Sequence, residues 1–163
     1  MNVNRIKDLV LFDPESDPVT SFTGPFGFLS NFHQGMHFVL FGQVWPTAEH
    51  AYQGMKAKDE EDMLHVLGAP SPGIAKRRGQ RIDLPADWDD VRLVVMQAVV
   101  MAKFTQSRDL ARLLVATGSA ELVEGNNWGD TYWGRVDGEG RNHLGHTLMR
   151  TREMLRRAGV RDA

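Results

Sequence analysis

Glu49, Tyr52, Gln53 and Lys56 recur at intervals of three and four, so on a helix of about 3.6 residues per turn they share one face. That face sets a carboxylate beside an aromatic ring, an amide and an ammonium, groups that can hold a polar ligand and answer a developing charge. A second stretch, Gly125 to Gly134, places Asp130 among Trp128, Tyr132, Trp133 and several glycines. A segment this irregular cannot bury three large rings, and it has the make-up of a pocket wall. A third group is cationic: Lys76, Arg77, Arg78 and Arg81 crowd together in a chain that is otherwise slightly acidic. Guanidinium forks match phosphate oxygens, and a helix N-terminus nearby adds backbone donors. Each group also has a plainer reading, as a solvated helix face, a set of core plugs or a solvated basic patch.

The elements that must position these residues follow from punctuation and period. Thr47, after Trp45-Pro46, caps the helix that carries Glu49, because its hydroxyl accepts an orphan N–H and Pro46 bars helix on its own N-terminal side. Ahead of it, His37 to Phe41 and Val44-Trp45, joined across Gly42-Gln43, read as a two-stranded hairpin that fixes the helix's first turn. Gly24 to Phe32 is a loop too aromatic for a linker; Phe26, Phe28 and Phe32 plug or stack, and Ser30 and Asn31 are its ligand candidates. Asp59 to Leu67 begins acidic and turns apolar, a short helix ending at Gly68. Ser71 caps the next, with Pro72 at the first helical position.

Trp88, Val91, Val95, Ala98, Val99 and Ala102 recur at helical spacing up to about Lys103-Phe104, the longest helix, in which Trp88 is large enough to line a pocket. Ser107 caps a helix that stops near Gly118. Leu122 to Glu124 reads as a short strand, and Asn142 as the cap of a last helix with Leu144, Leu148, Thr151 and Leu155 on one face and Gly159 as its stop. At the start, Leu9 to Phe12 and Val19 suit edge strands between Asp-Pro turns. The expectation is a mainly helical α+β fold, one domain over residues 1–163 with helices around a core and a small hairpin, and residues 1–20 loosely attached.

A chain of 163 residues with 42% apolar and 25% charged residues is long enough to bury a core unaided. A formal charge of -2 gives no general pull toward nucleic acid or membrane, so any phosphate binding must be local. The absence of cysteine excludes disulfides and thiolate chemistry. No apolar run approaches a membrane span, and the first residues lack a signal-peptide core, so the cytoplasm is the expected location. His143 and His146 stand three apart without a complete ligand set, so no metal is expected, and the lack of a Gly-rich nucleotide loop argues against a nucleoside-triphosphate engine.

Taken in order, Gly27 to Phe32, Trp45 to Gln53, Lys56-Ala57, Ser71-Pro72 with Ala75 and Gly79, Trp88, Lys103-Phe104, Leu122 to Glu124, Asp130 to Gly134 and Gly138 to Gly145 make the sequence resemble the NADAR family, which includes the YbiA-like N-glycosidases. The resemblance implies hydrolysis of an N-glycosidic bond to a ribose that carries phosphate. The substrate class it implies is the early phosphoribosylamino pyrimidines of riboflavin synthesis, or, in other branches, ADP-ribose on guanine in nucleic acid. A module that binds ADP-ribose or NAD without cleaving it would look alike.

Carried over by motif, the catalytic carboxylates are Glu49 and Asp130, and Trp88 is a pocket residue. Glu49 is placed nearer the sugar, because the helix N-terminus and Lys56 favour its charged form. Phe32, Tyr132 and Trp133, with Trp128, would stack on the base, Lys76, Arg77 and Arg78 take a phosphate, and Asn31 and Gln53 bond hydroxyls or the base edge. No cofactor is required. The chain departs from the family pattern at Gln80, where an arginine usually follows the glycine, and at Trp128.

Overall fold

The computed structural model describes residues 12–161. Their elements are a 3₁₀ helix Gly24–Leu29, strands β1 (Phe38–Leu40) and β2 (Gln43–Trp45), and helices α1 (Ala48–Gly54), α2 (Glu60–Leu67), α3 (Pro72–Gly79), α4 (Trp88–Thr105), α5 (Arg108–Ala116) and α6 (His143–Arg157). This is a mainly helical α+β fold with one two-stranded antiparallel sheet. Among the described residues no helix is long and apolar enough to cross a membrane. Two compact units divide the chain, residues 31–103 and residues 12–30 with 104–161.

In the unit 31–103, β1 and β2 pair Phe38 with Trp45, Val39 with Val44 and Leu40 with Gln43. The turn is Phe41-Gly42, both at positive φ (50° and 77°), as a two-residue hairpin of right-handed twist requires. The hairpin delivers Trp45 to α1, whose seven residues are all buried. Trp45 lies across the end of that helix: a Cβ on Gly54 would come within 2.5 Å of its ring, so glycine is what allows the contact. α1 also packs against α2 and α3, which share a small apolar cluster of Val66, Ala69 and Ala75 with Ile74 and Ile82. The expected caps Thr47, Ser71 and Ser107 each accept from a backbone N–H three residues on, and Asp59 does the same at the head of α2.

In the other unit α5 packs against α6, and Arg152 of α6, buried, donates to Thr117 Oγ1 at 2.8 Å and to the Ala120 carbonyl at 3.0 Å. Burial and Arg156 nearby bring its guanidinium down to about 10, and the two bonds fix it between α6 and the Thr117–Ala120 turn. Leu110, Leu113, Leu114, Leu122, Leu144, Leu148 and Leu155 form the buried apolar set.

Three elements differ from the sequence reading. Gly24–Leu29 is a 3₁₀ helix rather than a loop. Leu122 to Glu124 is no strand; Leu122 makes an isolated parallel bridge to Val19, and the segment otherwise bonds the Asn142 side chain and Arg135 instead of a second strand. Asn142 makes no side-chain cap; buried and left-handed at φ 51°, it accepts from Glu124 N at 3.1 Å and donates to the Leu122 carbonyl at 2.9 Å. Of the stretch 1–20 expected to attach loosely, Val19 is buried and exchanges backbone bonds with Glu121 and Val123 at 2.8 Å. Residues 9–11 of the expected first strand lie outside the described residues.

Candidate active site

The unit 31–103 gathers most of the expected site around α1. Glu49, in its first turn, is 6% exposed, so the face that carries it is an interior one and not a solvated surface. Its backbone N–H donates to the Asn31 carbonyl at 2.9 Å, tying the helix start to the loop before the hairpin. Its carboxylate accepts from Gln53 Nε2 at 2.7 Å, one turn on. Gln53 is itself buried, with its Oε1 facing no donor. The amide expected to meet a ligand thus orients the carboxylate.

Tyr52 stacks on Trp88 at the head of α4, ring centroids 5.5 Å apart at 53°. Both rings are buried, and Trp88 backs the site through Tyr52. The Lys56 ammonium lies 5.2 Å over the Tyr52 ring. Burial holds that ammonium below the usual lysine range, Glu49 opposes the shift, and Lys76 and Arg92 add to it. Lys76, from α3, stands 5.9 Å over the exposed ring of Phe32. Asn31 is buried and donates its amide to Met96 Sδ at 3.4 Å.

The basic residues of α3 have different surroundings. Arg78 donates to the His65 carbonyl at 2.6 Å, a bond between α3 and α2, and Arg77 is exposed. His50, buried beside Glu49, bonds Thr47 Oγ1 through Nδ1 at 2.8 Å and the Ala69 carbonyl through Nε2 at 3.0 Å. Burial, with Arg78, holds its imidazole below the ordinary histidine value, and the Ala69 carbonyl opposes this.

Two cations escaped the sequence reading. Arg92 follows Trp88 by one turn of α4 and makes a 3.3 Å ion pair with Asp89. Lys103, 2% exposed, is brought down by burial to about 7 and in turn helps desolvation depress His33. A signal for Lys103 existed: Met96, Val99, Val100 and Lys103 occupy positions i, i+3, i+4 and i+7, the core stripe of that helix.

The other unit holds Asp130. Its Oδ1 accepts from the N–H groups of Tyr132 at 3.1 Å and Trp133 at 2.8 Å, and Asn126 brackets its backbone with bonds of 3.0 and 2.8 Å. This local turn fixes the acid without a regular element. Tyr132 packs edge-on to Trp133, centroids 4.9 Å apart, and His143 lies 4.5 Å from Tyr132. Arg141 sits 5.9 Å over the Tyr132 ring. Trp128 is 60% exposed. Among the described residues no three histidine or acidic side chains gather as a metal-ligand set.

Comparison with known proteins agrees with the fold and with the motifs. The NADAR domain model matches residues 20–156. An Escherichia coli (strain K12) protein named N-glycosidase YbiA is 40% identical over 117 residues, 70% of this chain and 72% of that one. A Nostoc punctiforme protein named an N-glycosidase is 36% identical over 139 residues, 81% of this chain and 87% of its own. A Vibrio vulnificus riboflavin biosynthesis protein is 40% identical over 132 residues, 79% of this chain but 35% of that longer protein. The solution structure of Escherichia coli YbiA superposes with a TM-score of 0.82 at 33% identity, covering 98% of this chain and 95% of that one. The chain therefore belongs to the NADAR family.

Proposed function

We propose that this protein is an N-glycosidase that hydrolyses the bond between a base and a phosphorylated ribose, with early phosphoribosylamino pyrimidines of riboflavin synthesis as its substrates. The observation that carries the reading is the state of Glu49. A carboxylate buried in the first turn of a fully buried helix, held by Gln53 and faced by the Lys56 ammonium, is costly to fold around. It fits a role in which its charge meets a cationic transition state.

Breaking a ribosyl C–N bond leaves positive charge on C1′ and the ring oxygen while the base gains electron density. In this reading Glu49 lies against that developing cation and polarises the attacking water. A proton must reach the departing nitrogen, and Asp130, assigned on the family resemblance, is the second acid of the proposal. Relatives named N-glycosidases and a riboflavin biosynthesis protein support both the reaction and the substrate class.

The test is release of free base, followed by chromatography, from a phosphoribosylamino pyrimidine, from ADP-ribosylated guanine and from NAD. Glu49→Gln and Asp130→Asn should each lower kcat by about 10²- to 10⁴-fold on the true substrate while KM changes little. Retention of most of the wild-type kcat by both variants would remove the two-acid reading. Base release from ADP-ribosylated guanine alone would move the substrate class.

A further inference from the structure

Tyr52 of α1 packs against Trp88 of α4, and each helix carries a cation four residues further on, Lys56 and Arg92. Lys56 is folded back over the Tyr52 ring. α3 contributes a third cation, Lys76, over the ring of Phe32. Phe32 in turn lies beside the first turn of α3, 4.0 Å from where a Cβ on Gly73 would stand. Lys56 is the common neighbour: Glu49 favours its charge, and Lys76 and Arg92 stand close enough to disfavour it. Arg92 also makes a 3.3 Å ion pair with Asp89, a side chain 81% exposed.

We propose that Lys56, Lys76 and Arg92 form the seat for a phosphate group of the ligand. The seat deepens the N-glycosidase reading, on which it rests for the identity of the ligand. It replaces the run Lys76, Arg77 and Arg78 that the sequence alone suggests, since Arg78 serves the His65 carbonyl. Cations gathered in a partly buried place repel one another, and the depressed Lys56 ammonium records that repulsion together with its burial. A dianionic phosphate relieves it, and a planar guanidinium supplies paired donors where an ammonium supplies a point charge.

The experiment measures binding without turnover, by calorimetry on Glu49→Gln protein, with ribose 5-phosphate, ribose and ADP-ribose as probes. Ribose 5-phosphate should bind at least tenfold more tightly than ribose, and Arg92→Ala should erase about tenfold or more of that advantage. Arg92→Lys should recover part of it, and Lys76→Ala should fall similarly. Melting curves show whether each variant is folded; should Arg92→Ala not fold, Arg92→Lys and Lys76→Ala carry the test.

An advantage seen only with ADP-ribose, and lost in the same variants, keeps the seat and assigns it a diphosphate. Equal affinity for ribose and its phosphate, or loss of affinity in Arg77→Ala but not in the Arg92 variants, overturns it. Arg92-dependent binding by a protein that releases base from nothing would sink the glycosidase reading and leave the seat standing. Base release unaffected by Arg92→Ala would do the reverse.

Discussion

Gly79, the last residue of α3, packs on the residue that orients Glu49. A Cβ placed on it would stand 2.2 Å from Gln53 Oε1, 2.7 Å from Gln53 Cβ and 3.0 Å from Gln53 Cδ. By propensity alone Gly79→Ala should stabilise a helix by up to about 1 kcal/mol. Here the added methyl must push α3 away from α1 or drive Gln53 from its place, and overpacking of this kind costs roughly 1–3 kcal/mol. Moving Gln53 also breaks a hydrogen bond to a charged group, another 1.5–3 kcal/mol or so when nothing replaces it. With Gln53 displaced, the expected net is a loss of roughly 1.5–6 kcal/mol.

Gly73 of the same helix is the control, since the nearest atom to its added Cβ is 4.0 Å away; Gly73→Ala should be neutral or stabilising by up to about 1 kcal/mol. Urea unfolding of the two variants, followed by tryptophan fluorescence and circular dichroism, reads the difference. If Gly79→Ala proves as stable as Gly73→Ala, Gln53 is not held where the structure puts it, and the account of how Glu49 is oriented fails. A folded Gly79→Ala protein should also lose kcat out of proportion to its lost stability.

Lys103 makes stability depend on alkaline pH. Its folded value of about 7 lies below the 10.5 of a free lysine, so between these limits the unfolded chain binds more protons and stability rises with pH; below about 7 the cost of the buried charge is present in full. The difference amounts to roughly 5 kcal/mol between the two limits, and Lys103→Met should flatten the rise between pH 7 and 10 and raise stability at pH 7; an unaltered slope would refute it. Asn142→Ala removes the two bonds to Glu124 and Leu122 and puts alanine at φ 51°. A destabilisation of about 2–4 kcal/mol is expected in urea, with Asn142→Gly recovering about 1 kcal/mol of it; equal losses in the two would refute the backbone share.

The helix starts were legible because the signals are local. Thr47, Ser71 and Ser107 each bond the N–H three residues on, a partner the neighbouring sequence itself supplies. Asn142 stands in the same kind of position but has two backbone partners 18 and 20 residues away, which no local pattern announces. The chemistry of the Glu49 face was legible as residue types, yet not its direction: the spacing fits a solvated face and a buried one equally, and only the packing of Trp45, α2 and α3 around α1 decides. Lys103 was readable from its place on the core stripe of α4, but Arg92 stayed hidden for a related reason. A lone cation in an apolar helix reads as a surface residue until the neighbours of that helix are known.

The imidazole of His50 restricts which residues the chain tolerates at position 47. The Ala69 carbonyl can only accept, so Nε2 must carry the ring hydrogen, and the bare Nδ1 needs the Thr47 hydroxyl to point its own hydrogen inward. The same oxygen receives the His50 N–H at 3.2 Å. Aspartate starts helices as readily as threonine elsewhere, but its ionised form has no hydrogen to give and would recruit a proton onto the ring. Among the residues that commonly open a helix, serine alone has the one-atom exchange of giving and receiving that this corner uses.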